Sequence, residues 1–204
     1  MTILSNKIDF MLFVSVTNAN PNGDPLSGNR PRENYEGLGE ISDVCIKRKI
    51  RNRLQDFFHE KKETGKIFVQ SDERCDDGFK SLSERAKELT KIKDKDEYAK
   101  QACSKWIDVR AFGQVFAFEK DKDEKKGVSV GVRGPVSIHQ AVSINPVDIV
   151  SMQITKSVND RTVEGKYKST MGTKHFVSFG LYQIKGSIVR VKDICPFLKG
   201  KKIP

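Results

Sequence analysis

Cysteine, histidine and tryptophan are scarce in this 204-residue chain, which holds four, three and one of them respectively. Cys45, Cys75, Cys103 and Cys195 are widely separated, with no CxxC pair and no Cys/His combination at zinc spacing. The sequence therefore offers no metal centre and no disulfide framework; free or buried thiols in a reducing compartment are expected. No apolar run approaches the roughly 20 residues needed to span a bilayer. The N-terminus lacks the basic start, apolar stretch and cleavage site of a secretory signal. A cytoplasmic protein without a membrane partner is the expectation. Walker-type loops, GxSxG and HExxH are missing too. His59, His139 and His175 have no nucleophile or second carboxylate near them in sequence, so no catalytic residue, metal ligand or cofactor is assigned.

What is abundant is positive charge, at a net +10 with 31% charged residues. Its distribution is uneven. Residues 156–204 hold 11 Lys/Arg against 3 Asp/Glu, whereas residues 61–105 hold 12 against 10. A localised basic excess points to a polyanionic partner. The length suits one domain carrying an insertion, with a real core.

Residues 7–17 read as a first strand, whose apolar run at 10–16, rich in β-branched and aromatic side chains, suits a buried strand. A helix follows, with Ser42 as its cap, Asp43 in its first turn and an end near His59. Its Ile46, Ile50, Leu54 and Phe57/Phe58 recur at three- and four-residue spacing and are expected to face the core. Residues 61–105, dense in Lys, Glu and Ala, read as a helical insertion. Trp106–Phe118 and Val128–Val142 read as extended segments forming a hairpin, the second interrupted at Gly134-Pro135, with a charged turn at 120–127 between them. A polar, basic excursion at 153–175 precedes another strand from His175. The order fits an α+β domain with a largely antiparallel sheet.

Two segments carry the chemistry. The first strand runs into Asn18-Ala19-Asn20-Pro21-Asn22-Gly23-Asp24-Pro25, whose residues favour turns and bond locally to backbone. Amide side chains at a strand exit also suit binding of phosphates, sugars or base edges. Lys47-Arg48-Lys49-Ile50-Arg51-Asn52-Arg53 then places five cations in seven residues with no acid. Lys47 and Arg51, four apart, repel one another unless an anion lies across them. The run is either a solvated polar face or a phosphate contact, to which Ser42 and the helix start add neutral donors. Asp24 is an ordinary turn residue or a metal-binding carboxylate. Met171, on the basic excursion, either packs locally or wedges between bases.

Five segments resemble the type I-C CRISPR Cascade backbone subunits of the RAMP superfamily (Cas-seven type). They are NANPNGDP at 18–25, SDVCIKRKIRN at 42–52, DVRAFGQVFAF at 108–118, VRGPVSIHQAVSINPVDI at 132–149 and TMGTKHFVSFGLYQIKGSI at 170–188. The resemblance implies a modified ferredoxin-like (RRM-type) core with a thumb, here residues 153–175. It implies a non-enzymatic protein whose copies polymerise along a guide RNA and present it to target DNA, alongside other Cascade subunits and a recruited helicase-nuclease. Ser42, Lys47, Arg48 and Arg51 match the guide-backbone cradle, and Asn18, Asn20 and Asn22 the loop beside it. Arg133 adds a contact, with Met171 and Lys174 as thumb residues. Related type III backbones cut RNA with a loop aspartate, so a metal-dependent RNase using Asp24 is the alternative, and a degenerate product is a third reading. The resemblance also implies a last helix and strand after about Ser187. The sequence instead continues into an atypical basic tail at 189–204, which reads as a C-terminal truncation expected to leave an apolar sheet face open.

Overall fold

The structure, a computed structural model, describes residues 4–89, 92, 94–117, 129–155 and 171–190. The expected charged turn at 120–127, residues 156–170 of the excursion, and the tail from 191 onward lie outside the described residues. The chain falls into two compact units, one of residues 11–46 and 139–185, the other of residues 1–10, 47–138 and 186–204. The elements, in chain order, are strands β1 (Ile8–Ala19), β2 (Gly23–Asp24), β3 (Arg30–Pro31) and β4 (Leu38–Ile41) and helix α1 (Asp43–Glu60). Then come α2 (Leu82–Ala86), α3 (Lys95–Lys105), α4 (Ile107–Phe112), β5 (Gly113–Ala117) and β6 (Ser129–Arg133). The last are β7 (Val136–Ile138), β8 (Ala141–Pro146), β9 (Ile149–Thr155) and β10 (Met171–Ile188). This is an α+β fold.

The first unit holds most of a six-stranded sheet of order β1-β10-β8-β4, in which β7 and β9 also pair with β10. The ladders of β10 with β7, β8 and β9, and of β4 with β8, are antiparallel. Its buried apolar residues include Val16, Ile41, Ala141, Val177, Tyr182 and Ile184. Tyr182 lies so close to β4 that a Cβ on Gly39 would collide with its hydroxyl. Ser143 Oγ, on β8, ties that strand to β4, accepting from Gly39 N at 2.8 Å and donating to the Asn145 carbonyl at 2.7 Å. Elsewhere on the sheet large apolar side chains stand open, among them Met11, Phe13, Ile144 and Phe179, each at least half exposed.

The second unit has its own core of Phe68, Tyr98, Ala102, Trp106, Val109 and Phe116. Phe68 sits 4.7 Å from the Trp106 ring and 5.0 Å from Phe116, and Tyr98 5.1 Å from Phe116, the spacing of favourable aromatic pairs. β5 and β6 form the expected hairpin, paired from Gly113↔Arg133 to Ala117↔Ser129.

Two local expectations are corrected. Residues 107–112 of the segment read as a strand are helical, because Ile107 N is held by the Lys66 carbonyl at 2.9 Å and Asp108 is anchored below the surface. Gly113, at φ +81°, ends that helix, and only then does the strand begin. On α1, Ile46 is buried, but Phe57 is 43% exposed and Gln55 is 2% exposed in its place. Gln55 reaches the buried side because its Nε2 donates to the Arg74 carbonyl at 3.0 Å. Among the described residues no helix is long and apolar enough to cross a membrane.

Candidate nucleic-acid interface

The loop after β1 is stitched by its own amides. Asn18 adopts φ +49°, a left-handed conformation that Asn tolerates. Asn20 Nδ2 donates to the Asn29 carbonyl at 2.7 Å. Asn22 Oδ1 accepts from both Ser42 N and Ser42 Oγ, each at 2.9 Å. Ser42 Oγ in turn accepts from Cys45 N at 3.2 Å, which is the expected cap of α1. The sequence places Asn22 and Ser42 on one surface, and the structure brings them into direct contact. It also shows that the Asn22 oxygen and the Ser42 hydroxyl proton are already used. Their immediate role is to fix where α1 begins.

Asp24 is similarly engaged. It caps the 3-10 turn Pro25–Ser27, with Oδ1 accepting from Leu26 N at 3.2 Å and Oδ2 from Ser27 Oγ at 3.3 Å. Arg32 Nη2 lies 3.4 Å from Oδ1. Among the described residues no group of three or more His, Cys, Asp or Glu side chains is placed to hold a metal ion.

Along α1 the cations divide. Arg48, Lys49 and Arg53 are exposed and Lys47 is half-buried. Arg51, 12% exposed at its side chain, points its Nε at Oδ2 of the fully buried Asp108, 2.9 Å away, and covers the Phe112 ring at 5.1 Å. The counter-charge that the Lys47/Arg51 spacing demands is thus supplied to Arg51 from within the chain. Arg133 is exposed at the end of β6, opposite Gly113.

The β9–β10 ladder runs from Met171↔Thr155 to Val177↔Ile149. Alternation across the pleat therefore separates two of the expected contact residues. Met171, 65% exposed, shares a face with Gln153, whose Nε2 reaches its sulfur at 3.2 Å. Lys174, paired opposite Met152, stands on the other face. Sequence reasoning misses Asp108 as the partner of Arg51, although it lies inside the DVRAFGQVFAF segment. It also misses Arg30, Ser151 and His175, which meet on the Met171 face. The strand register reveals the meeting of Ser151 and His175, and Arg30 joins it from β3, outside that ladder.

A family model described as CRISPR-associated protein Cas7 matches residues 6–192. A CRISPR-associated protein Cas7 from Haloferax volcanii is 29% identical over 161 residues, covering 72% of this chain and 46% of that protein. The chain spans about half the length of this curated relative. Among solved structures, a chain of a CRISPR RNA-guided surveillance complex in a pre-nicking state is similar at a TM-score of 0.45, with 14% identity over 90% of this chain and 64% of that one. A chain of the type III-B Cmr-beta complex bound to cognate target RNA gives a TM-score of 0.42, with 10% identity over 95% of this chain and 52% of that one.

Proposed function

The chain belongs to the CRISPR-associated Cas7 family, and from that premise we propose that it is a guide-RNA-binding backbone subunit of a type I-C Cascade surveillance complex. Copies would line up along one guide RNA, grip its backbone and leave its bases free to pair with target DNA. Such a division of labour needs cations for phosphates and no base-reading side chains, because pairing carries the sequence information. The observation that carries the reading is the face of α1. Its start is locked by Asn22 and Ser42, and it then presents Arg48, Lys49 and Arg53 to solvent. A charge run maintained without acids on an ordered helix is a fitting phosphate surface.

In this reading Asn18, Asn20, Asn22 and Ser42 shape the loop and helix start. Lys47 and Arg48 contact the guide, Arg51 steadies the helix that carries them, and Arg133, Met171 and Lys174 extend the contact. Residues 61–105 act as a helical insertion and 153–175 as a thumb. The partners are the guide RNA, target DNA through the guide, further copies of the chain, other Cascade subunits and a recruited helicase-nuclease. The location is the cytoplasm.

The subunit is proposed to be non-enzymatic. The engagement of both Asp24 oxygens with Leu26, Ser27 and Arg32 supports this over the metal-dependent RNase reading. Two experiments decide. Expressed with its neighbouring subunits, the chain should co-purify with RNA of uniform length; recovery free of RNA would overturn the assignment. Incubated with complementary RNA and magnesium or manganese, it should leave the RNA intact. Cleavage abolished by Asp24→Ala would establish the RNase instead.

A further inference from the structure

Away from α1, we infer a second anion site, made by Arg30, Ser151 and His175, that takes one phosphodiester of a single RNA strand. The inference rests on the RNA-binding reading above and adds to it a site at three residues that reading does not use. All three belong to the same compact unit. Ser151 and His175 are directly opposed across the β9–β10 ladder, and Ser151 Oγ lies 2.8 Å from His175 Nδ1. Arg30, from β3, aims Nη1 at the same oxygen from 3.5 Å. A guanidinium, an imidazole and a hydroxyl thus converge from three distant points of the sequence on one spot.

The chemistry of that spot is selective. A guanidinium matches the paired oxygens of a phosphate, and a hydroxyl and an imidazole N–H can complete the shell as neutral or charged donors. An acid, Glu33, lies 3.5 Å from Arg30 Nη2, with both side chains more than a third exposed. An exposed pair at that distance contributes little and leaves the guanidinium available. Ser151 is exposed and His175 half-buried, so both are open to an incoming strand among the described residues.

Free phosphate and an RNA backbone share this chemistry, and the surroundings favour the strand. Beyond His175 the same ribbon face continues through Gln153 and Thr173 to Thr155 and Met171. These are neutral donors and acceptors followed by a polarisable apolar tip. That sequence of groups suits the sugar hydroxyls and base of a neighbouring nucleotide and has no function for an isolated anion. The opposite face of the ribbon, with Val150, Met152 and Ile154 around Lys174, has no such run of neutral donors and acceptors.

The test uses the full chain and a fluorescent single-stranded RNA, with affinity measured across a salt series. Arg30→Gln and His175→Gln should each weaken binding by roughly tenfold, and Arg30→Gln should lower the salt slope by about the value of one phosphate. The double variant should lose less than the product of the two, because both residues hold one phosphate. Inorganic phosphate, titrated as a competitor, should displace the RNA only weakly. Wild-type binding matched by both single variants, with an unchanged slope, overturns the site. Displacement by phosphate at concentrations comparable with the RNA overturns its assignment to a strand. Wild-type protein that binds no RNA overturns the parent reading itself. Ser151→Ala, on the exposed ribbon, guards against misfolding as the cause: it should keep the thermal midpoint of the wild type while binding less tightly.

Discussion

Arg51 and Asp108 are 57 positions apart, and the Arg51 Nε rests 2.9 Å from a carboxylate oxygen of Asp108. The same carboxylate accepts from Phe68 N at 2.7 Å and Val69 N at 3.0 Å. One fully buried acid thus ties α1, the segment at 68–69 and α4 together within a single unit. Removing one partner of such a pair leaves an uncompensated group in a low-dielectric site, which typically costs about 3–5 kcal/mol. Asp108→Ala should therefore lower stability by about 3 kcal/mol or more. Trp106, the sole tryptophan and fully buried in the adjoining core, reports it directly. Its fluorescence transition in denaturant should shift to lower midpoint, and an unshifted transition would remove the anchoring role.

This pairing changes which α1 residue best tests RNA binding. Reversing Arg51 would disturb the helix as well as the charge, so weakened binding would have two causes. Arg48 is exposed on the same helix. Arg48→Glu should weaken single-stranded RNA binding and reduce the slope of log affinity against log salt by about 0.7 for each phosphate the protein ceases to neutralise. The thermal midpoint should stay within the spread of ordinary surface substitutions, about 0.5 kcal/mol. Equal affinity at low salt would remove Arg48 from the interface.

The parts of this architecture that are legible in the sequence are those fixed by neighbours in the chain. The Ser42 cap, the apolar strand before the asparagine loop and the hairpin broken at Gly134-Pro135 each follow from local chemistry. Gly134 shows how tight that break is: a Cβ there would collide with the Ala111 carbonyl. Illegible are the features set by distant partners. Ile107–Phe112 has strand-like composition, but its backbone is recruited into a helix by Lys66 and its Asp108 by Phe68 and Val69. The face of α1 can be read from spacing, yet Gln55 displaces Phe57 from the buried side because Arg74 offers a carbonyl. Met171 and Lys174 look like neighbours on one excursion until the ladder register sets them on opposite faces.

The contact between Asn22 and Ser42 predicts a graded effect on the helix start. Ser42→Ala removes the oxygen that accepts from Cys45 N and should cost about 1 kcal/mol, the usual value of a cap. Asn22→Ala removes the acceptor for both the Ser42 amide and its hydroxyl, leaving two part-buried donors unpaired, and should cost about 1–3 kcal/mol. Amide hydrogen exchange over residues 43–46 is the measurement. Faster exchange confined to that turn is expected in both variants, and larger in Asn22→Ala. Equal protection in wild type and Asn22→Ala would mean the bond is dispensable.

Acid should act on the helical unit through Asp77. Burial pushes this carboxyl up, but hydrogen bonds from Arg85 and the Phe79 amide, together with the Arg85 charge, outweigh it and hold the group below its ordinary value. Arg85 is 2% exposed, bonding Asp77 through Nε at 2.5 Å and the Phe68 carbonyl through Nη1 at 2.8 Å. A carboxyl depressed in the folded state contributes stability above its unfolded value, near 3.9, and that contribution is lost as pH falls through the lower folded value. Unfolding monitored at Trp106 should therefore show stability level from neutrality to about pH 4–5 and declining below it. Asp77→Asn should be less stable than wild type at neutral pH and lose part of that decline. At the alkaline end the sign reverses, because burial pushes the Tyr98 phenol up to about 12. Its contribution is complete below pH 10 and disappears as pH rises towards 12. Tyr98→Phe should remove part of the alkaline limb, to which the buried Tyr182 phenol, also pushed up by burial, contributes as well. An acid limb altered by that substitution would contradict the separate origin of the two limbs.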